Sequence, residues 1–472
     1  MAGSSKSLLL NVSYSLLSNL VSTALGILAV LVLPKYLPTE QYGYYQLYLL
    51  YVGLTTLLAL GIPEGIYLAL GGKQDFAVTK QFARKGFLEL SAFVTLAFVV
   101  ICATVLMGEG DADLRAVALW VCISGIINCV RNYVLFILQA KGRIREYALS
   151  VIIERVVSLV PIITMVFAGI SSMSGLLVFD TLGRGISFIY VLFVYKKYEQ
   201  GFFSNKVGAR CELRVRDLLI PGIQLMFASY ASTIIVSLTR YGVEAEWSIS
   251  ICAQVSLVIS IASMFTRLIN AVAIPVFPAL KEFSDERNKE IYSSSSSAIT
   301  VLFVMMLLLI KPLVSVLSWW LPTYASTLNY AALLIPMCLF ESKTAILVMS
   351  YAKSYRQERL LLKINIVSVV LGVMLTAIFS SIIPDIEFLL ISLVIVFAYR
   401  CFTGEYALWK RYGFHADLWQ WDVLSAIAAM IAWHFGGIIA AVILLGTAAL
   451  FSIFNKSRLL HFARQLFAIR KR

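Results

Sequence analysis

The chain has 472 residues, of which 60% are hydrophobic and only 14% are charged, and its formal net charge is +13 at pH 7. Globular domains carry about 25% charged residues, so this composition, with a mean hydropathy of +0.86, excludes an ordinary water-soluble domain. Apolar runs long enough to cross a hydrocarbon layer of about 30 Å recur from end to end. The composition therefore predicts an all-α, polytopic membrane protein.

Fourteen apolar segments follow one another along the chain. The first begins near Leu8 and continues past Leu31 with no small-residue cleavage site, which is too long for a signal-peptide core and predicts a retained helix. The last two segments are short and meet at Gly436 and Gly437, so we expect 12 to 14 transmembrane helices. The segments are 8–33, 43–62, 86–107, 116–140, 147–169, 173–195, 218–239, 247–273, 295–320, 326–351, 361–383, 387–409, 422–435 and 438–454.

The distribution of basic residues predicts the orientation of the chain. With the N terminus inside, most of the 39 Lys and Arg residues fall in cytoplasmic segments, and Lys35, Arg115 and Arg240 fall outside. Cytoplasmic loops carry such an excess under the positive-inside rule. Both termini are therefore predicted to be cytoplasmic, with the basic tail 455–472 lying on anionic headgroups. Topology thus accounts for the positive net charge, which argues against a nucleic-acid partner.

A weak internal repeat divides the chain into two halves. Residues 131–146 align with 343–358 at an offset of 212, and this alignment pairs Arg131 with Lys343. A duplication of six helices starts both copies on the same side of the membrane, as in the parallel repeats of transporters. We therefore predict two pseudo-symmetric six-helix bundles around a central cavity. The predicted regions are an N-terminal bundle at 1–195, a basic cytoplasmic linker at 196–217, a C-terminal bundle at 218–410, and a terminal helical hairpin with a basic cytoplasmic tail at 411–472.

Several cations fall in the middle of the apolar segments. Arg131 precedes the boundary lysine Lys141 by ten residues, or about 15 Å of helix, which is half the hydrocarbon thickness. A charge at that depth costs roughly 2.5 to 3.5 kcal/mol on insertion scales, so it should face a cavity or a partner. Desolvated arginines suit phosphate and carboxylate groups. The residues predicted to bind an anionic headgroup are Arg131, Lys343, Arg155, Arg184, Arg400 and Arg267.

Structural ion pairing between helices is the alternative interpretation of each cation. The nearest carboxylates in the sequence are Glu154 beside Arg155, Asp180 four residues before Arg184, and Glu341 near Lys343. Because residues at i and i+4 share a helix face, Asp180 and Arg184 are expected to meet directly, whereas Glu154 is expected to serve another helix. Protonation of these carboxylates would alter their pairing. Glu154, Asp180 and Glu341 are therefore candidates for coupling to an ion.

Metal and disulfide chemistry are not predicted. The three histidines are not spaced as ligand pairs, and the seven cysteines form no CxxC pair, so we expect free packing thiols. No catalytic residue, metal site or bound cofactor is predicted.

Three stretches of sequence, together with the six-plus-six layout, carry a resemblance to a known family. They are YLPTEQYGYYQLY at 36–48, GIPEGIYLALGG at 61–72 and LQAKGRIREYALS at 138–150. With these motifs in this order, the chain resembles the polysaccharide flippases of the Wzx type, within the multidrug/oligosaccharidyl-lipid/polysaccharide exporter superfamily. The resemblance covers nearly the whole length.

The resemblance implies a transporter of the bacterial inner membrane and not an enzyme. Such a protein moves an undecaprenyl-pyrophosphate-linked oligosaccharide, for example an O-antigen repeat unit for lipopolysaccharide, from the cytoplasmic to the periplasmic leaflet. Transport would proceed by alternating access through a cationic cavity, driven by a proton or sodium gradient. The resemblance also implies a monomer that works beside a glycan polymerase and a chain-length regulator.

Two related activities remain open on the residues alone. A lipid II flippase also handles a pyrophosphate lipid, and the sequence separates it poorly from an O-unit flippase. A cation-coupled multidrug exporter would use an acidic, aromatic cavity, against which the excess of buried Arg and Lys argues. A membrane scaffold has no need of intramembrane charges at matched depth, and a glycan polymerase or ligase would need large periplasmic loops with paired catalytic residues.

Overall fold

The computed structural model describes residues 2–70, 76–108, 111–198, 215–273, 285–355, 357–415, 418–435 and 437–455. Throughout these ranges the secondary structure is helical and no strand occurs, which confirms the predicted all-α class. Most of the predicted linker (199–214) and the basic tail after residue 455 lie outside the described residues.

In the first part of the chain the described residues form nine helices, and a 3₁₀ turn at Thr55–Ala59 follows the second. Asp111 caps one of them by accepting a hydrogen bond from the Asp113 amide at 3.3 Å, and a hydrogen bond from the Tyr44 hydroxyl lowers the pKa of the Asp111 carboxyl. The helices are α1 Ala2–Tyr36, α2 Thr39–Leu54, α3 Ile62–Leu70, α4 Phe76–Met107, α5 Ala112–Ala140, α6 Ile144–Phe167, α7 Met173–Tyr198, α8 Val215–Glu246 and α9 Ile249–Ala273.

In the second part of the chain the described residues form six helices of 14 or more residues, and a π-helical turn follows two of them directly. The helix α11 continues from Lys343 through the π turn Thr344–Met349 into Ser350–Ser354, and α12 ends in the π turn Ile378–Ile382. Short turns at Pro322–Tyr324 and Ala325–Leu328 precede α11. The helices are α10 Asp285–Trp320, α11 Tyr330–Lys343, α12 Glu358–Ala377, α13 Ile386–Tyr412, α14 Trp419–Phe435 and α15 Gly437–Phe454.

The described helices provide 11 segments long and apolar enough to cross a membrane, or 12 when the bent pair α2 and α3 is counted as one span. This count agrees with the lower end of the predicted range. The predicted terminal hairpin forms the separate helices α14 and α15, of 17 and 18 residues. They pack on α10 through a small core in which Phe451 lies against Val301, Val304 and Leu418.

The second predicted span, 43–62, is not a continuous helix, so this prediction is wrong in detail. Leu60 adopts the left-handed conformation with φ 48°, Gly61 follows with φ 72°, and α3 leaves at an angle of 56°. A Cβ at Gly61 would collide with the backbone of Gly222 and Ile223 in α8. The chain therefore turns where two glycines let two backbones approach each other, and positive φ favours glycine at such a point.

The chain divides into two compact units. The first comprises Met1–Thr233 with Ile249–Ala253, and the second comprises Ile234–Ser248 with Gln254–Arg472. Their boundary falls inside α8 rather than in the segment 196–217. The division of the chain into the regions 1–195, 196–217, 218–410 and 411–472 stays a prediction. The central cavity between two bundles also stays a prediction.

Candidate functional site

Arg131 lies in the middle of α5 and is buried against side chains of α6 and α7. Its guanidinium forms an ion pair with Glu154 of α6, with an N–O distance of 2.6 Å. Its Nε donates a hydrogen bond to the Ser187 hydroxyl of α7 at 3.0 Å, and Ser187 donates to the Ser150 carbonyl at 2.8 Å. Only 3% of Arg131 is exposed. This residue therefore ties three helices together through partners within the protein.

Arg184 connects the same carboxylate to a second one. Its Nη1 lies 3.4 Å from Glu154 Oε1, and its Nε lies 2.8 Å from Asp180 Oδ2, one turn earlier in α7. The Tyr48 hydroxyl of α2 donates to the same Asp180 oxygen at 2.8 Å. We call Arg131, Glu154, Asp180 and Arg184 the N-terminal network. Its two guanidiniums and two carboxylates balance in charge, which is how buried ions are tolerated.

Arg155 differs from these two arginines. It is half-buried on α6, and among the residues that the structure describes no carboxylate lies within ion-pair distance of it. Its positive charge acts on the buried Tyr45 of α2 and on the N-terminal network. Arg155 therefore gives this part of the bundle one positive charge more than its carboxylates can balance.

Lys343 is the buried cation of the second unit. It is fully buried, forms an ion pair with Asp422 of α14, and donates to the Ser296 hydroxyl of α10 at 3.0 Å. Thr300 of α10 donates to the other Asp422 oxygen at 2.6 Å. The π turn of α11 begins at the residue after Lys343, and such turns inside α-helices occur frequently at functional sites.

Arg400 occupies a third buried position, on α13. Its Nε donates to Asn365 Oδ1 of α12 at 2.7 Å, and its Nη2 lies 3.8 Å from the Met349 sulfur. The charge of Glu341 also acts on it. Arg400 is thus held by groups of the protein, as Arg131 and Lys343 are.

The structure confirms two of the predicted pairings and corrects a third. Asp180 meets Arg184 on one helix face, and Glu154 serves another helix, since it pairs with Arg131 of α5. The pairing of Glu341 with Lys343 is wrong, because residues two apart on a helix do not face each other. The partner of Lys343 is Asp422.

Substrate contact by the six cations stays a prediction. The side chain of Arg267, on α9, lies outside the described side chains. The other five cations lie in two different units. Arg131, Arg155 and Arg184 belong to the first unit, and Lys343 and Arg400 belong to the second.

Two buried acids escaped the sequence prediction of the site. Asp422 stands at the start of α14, and its partner lies 79 residues earlier in the chain, so spacing gave no sign of the pair. Glu64 is buried in the first turn of α3, directly after the break that follows Leu60. A carboxylate three residues after a Gly inside an apolar run was the available signal, and a continuous helix was predicted there instead.

The described residues contain no group of three or more His, Cys, Asp or Glu that could hold a metal ion. Six cysteines are free thiols: Cys102, Cys122, Cys129, Cys252, Cys338 and Cys401. The seventh, Cys211, lies outside the described residues.

The described residues provide 11 or 12 apolar spans, one of them broken, with buried charges paired across helices, and these features define a polytopic membrane protein. Residues 8–284, more than half of the chain, match the family model described as polysaccharide biosynthesis protein. The chain therefore belongs to that family.

Solved structures match the chain along most of its length. An inward-facing multidrug resistance MATE family transporter of the MOP superfamily is 13% identical, with a TM-score of 0.63 over 84% of this chain and 94% of that chain. Lipid II flippase MurJ in an inward closed conformation is 11% identical, with a TM-score of 0.66 over 95% of this chain and 100% of that chain.

A variant of the Vibrio cholerae MATE transporter VcmN is 14% identical, with a TM-score of 0.52 over 86% of this chain and 96% of that chain. At these identities the matches establish the fold alone. No curated protein matches the sequence.

Proposed function

We propose that this protein is a flippase that moves an undecaprenyl-pyrophosphate-linked oligosaccharide, such as an O-antigen repeat unit, from the cytoplasmic to the periplasmic leaflet of the bacterial inner membrane. Membership of the polysaccharide biosynthesis family supports the glycan, and the MOP-type fold supports transport. The observation that carries the proposal is the surplus guanidinium of Arg155, which is half-buried in the bundle beside a charge-balanced network.

Arg155 is suited to bind the pyrophosphate because no carboxylate among the described residues pairs with it. A guanidinium offers five N–H donors in a planar fork, and two of them can bind a phosphate at once. Arg131 and Arg184 already donate to carboxylates. In this arrangement they hold α5 and α7 against α6, the helix that carries Arg155. Binding by Arg131, Arg184, Lys343, Arg400 and Arg267 would need these pairs to open as the protein alternates between states.

Substitution of Arg155 tests this assignment. We expect Arg155→Ala to lower export of lipid-linked glycan by about tenfold or more, the equivalent of one charge-assisted hydrogen bond, while the amount of protein in the membrane is unchanged because no buried carboxylate loses its partner. Arg155→Lys should retain part of the activity as a point charge without the fork. The matched control is Arg359→Ala, at an exposed arginine of α12.

Wild-type export by Arg155→Ala would overturn the assignment. Loss of the protein from the membrane would do the same, since it would show that Arg155 has a structural partner.

A lipid II flippase is the second candidate, because the structure of lipid II flippase MurJ matches nearly the whole chain. Its substrate also carries a polyprenyl pyrophosphate, so Arg155 would play the same part. The two are separated by complementation: we expect the gene to restore surface glycan in a strain that lacks an O-unit flippase, and not to restore growth when the lipid II flippase is depleted. A cation-coupled multidrug exporter is disfavoured by the surplus positive charge.

Coupling to a proton or sodium gradient through Glu154, Asp180 or Glu341 is part of the proposal. Glu154 is the best placed of the three, because both Arg131 and Arg184 bind it, and its neutralisation would free the guanidinium of Arg131 and leave Arg184 paired with Asp180 alone. Dissipation of each gradient in turn, with transport measured in reconstituted vesicles, tests the coupling. We also propose cytoplasmic termini, a monomeric state, and a glycan polymerase and chain-length regulator as partners.

A further inference from the structure

The second unit contains a cavity that the proposed transport cycle does not use. Its volume is about 580 Å³, and it is lined by residues from the second half of α13, by Phe414 and His415, and by the start of α14. Aromatic rings form most of its wall: Phe402, Tyr406, Trp409, Phe414 and Trp419. Pockets of roughly 300 to 1,000 Å³ with apolar walls and a few polar groups are typical of small-molecule sites.

One carboxylate lines this cavity without a partner. Glu405 is only 6% exposed, and its buried Oε1 has no hydrogen-bond partner among the residues that the structure describes. A buried carboxylate oxygen without a donor is costly. Because the residue borders the cavity, an occupant of the cavity can supply that donor.

When Glu405 is ionised, its charged neighbours among the described residues do not offset its charge. Lys343 and Asp422 are the ionised groups that act on it, and they are already paired with each other. The charge of Glu405 also acts on the thiol of Cys401 and on the hydroxyl of Tyr292, and neither group brings a positive charge. A cation that enters the cavity would therefore balance the charge of this group.

We propose that this cavity binds the primary ammonium headgroup of a membrane phospholipid, with Glu405 as the acceptor. Aromatic faces attract an ammonium through the ring quadrupole, and a primary ammonium carries three N–H donors for the carboxylate. A quaternary ammonium has none, so it would leave the Glu405 oxygen unsatisfied. The aromatic wall selects a cation, and Glu405 selects a cation that can donate.

The position of the cavity favours a lipid over a soluble amine. Tyr406, Trp409 and Trp419 line the cavity and also expose about half of their surface, as aromatic residues do at the boundary between headgroups and acyl chains. His415 stands at the same rim, and its Nε2 accepts a hydrogen bond from Trp409 Nε1 at 3.3 Å. Its Nδ1 is then the protonated nitrogen of the neutral ring, and it can donate to the lipid phosphate.

Lipid selectivity of the purified full-length protein tests the proposal. Native mass spectrometry would compare retention of phosphatidylethanolamine, phosphatidylcholine and phosphatidylglycerol with identical acyl chains. We expect the wild-type protein to retain phosphatidylethanolamine in preference to the other two. Glu405→Gln should lose this preference, whereas Glu387→Gln, at an acid near the opposite end of α13, should keep it.

Trp419→Leu tests the aromatic wall independently of the carboxylate. It should weaken retention of phosphatidylethanolamine, while Trp319→Leu, at an exposed tryptophan of α10, should not. The proposal is overturned if the wild-type protein retains phosphatidylcholine equally well, or if Glu405→Gln keeps the preference. Displacement of phosphatidylethanolamine by free ethanolamine at equal concentration would overturn the assignment to a lipid.

Discussion

At the scale of single residues, the buried arginines of the first unit are of two kinds. Arg131 and Arg184 form ion pairs with Glu154 and Asp180. Arg155, which is half-buried, has no carboxylate within ion-pair distance among the described residues. Depth in the membrane is therefore a poor guide to substrate contact, because a deep cation is satisfied equally well by a neighbouring helix. The residue to test for substrate binding is therefore Arg155, which has no carboxylate partner among the described residues.

Arg184 and Asp180 form a structural pair, and the network makes their substitutions unequal. Arg184→Ala leaves Asp180 without a cation, and the loss of one member of a buried pair costs about 3 to 5 kcal/mol. Asp180→Ala is milder, because Arg184 still has Glu154. We expect membrane abundance and thermal stability to fall most in Arg184→Ala and to recover in part in the Asp180→Ala, Arg184→Ala double variant. Equal loss in all three variants would contradict the pairing.

Lys343 and Asp422 give the corresponding prediction in the second unit. Lys343→Ala should lower the amount of folded protein, because Asp422 would keep only the hydroxyl of Thr300 as a donor. The double variant Lys343→Ala, Asp422→Ala should recover abundance. Lys363→Ala, at an exposed lysine of α12, is the control. A stable Lys343→Ala protein with no export would instead favour direct substrate contact by Lys343.

The pairings that the sequence could predict are those within one helix. The spacing of Asp180 and Arg184 places them on one face, and the i, i+1 spacing of Glu154 and Arg155 excludes a shared face. The partner of Lys343 could not be found in this way. Asp422 lies on α14, and which helix packs beside α11 depends on tertiary structure that spacing does not contain.

At the scale of elements, the main departure from prediction is the break between α2 and α3. Hydropathy predicted one span at 43–62, because Leu60 and Gly61 are compatible with an apolar helix. Both residues adopt the left-handed conformation at the point where the α8 backbone approaches at Gly222, and no local sequence pattern reports such an approach. Broken helices in transporters occur at binding sites, and here the break places Glu64 in the first turn of α3.

Two glycines with the same conformation allow this break to be tested. Gly61 and Gly142 have φ values of 72° and 71°, so alanine would strain each by about 1 to 2 kcal/mol. A Cβ at Gly142 meets nothing within 4 Å, whereas one at Gly61 collides with the α8 backbone. We expect Gly61→Ala to lose folded protein and Gly142→Ala to lower the melting temperature only slightly. Similar melting temperatures in the two variants would contradict the close approach.

At the scale of the whole molecule, the predicted repeat pairs the positions of two buried cations. It does not pair the positions of the carboxylates that bind them. Arg131 and Lys343 occupy aligned positions and are both buried and paired. The carboxylate that binds Arg131 is Glu154 of α6, the helix that follows α5. The carboxylate that binds Lys343 is Asp422 of α14, three helices after α11. The alignment of 131–146 with 343–358 therefore pairs the two cations, whereas it does not pair their carboxylates, Glu154 and Asp422.

The predicted topology is tested by reporter fusions. Fusions after Asp217 and after Arg472 should both give a cytoplasmic signal, because the basic residues favour that side. A fusion after Glu246 is the control and should give a periplasmic signal. A periplasmic signal after Arg472 would mean that α14 and α15 together cross the membrane once.

Movement of the pyrophosphate-linked lipid across a bilayer tests the flippase most directly. The protein is reconstituted into vesicles with a polyprenyl-pyrophosphate oligosaccharide that carries a fluorophore on its sugar, and a membrane-impermeant reductant is added outside. We predict that wild-type protein and Arg359→Ala expose the inner-leaflet pool to the reductant, and that Arg155→Ala leaves that pool protected. An inner pool that stays protected with wild-type protein, or exposure that is equal when the lipid carries no pyrophosphate, would contradict the account.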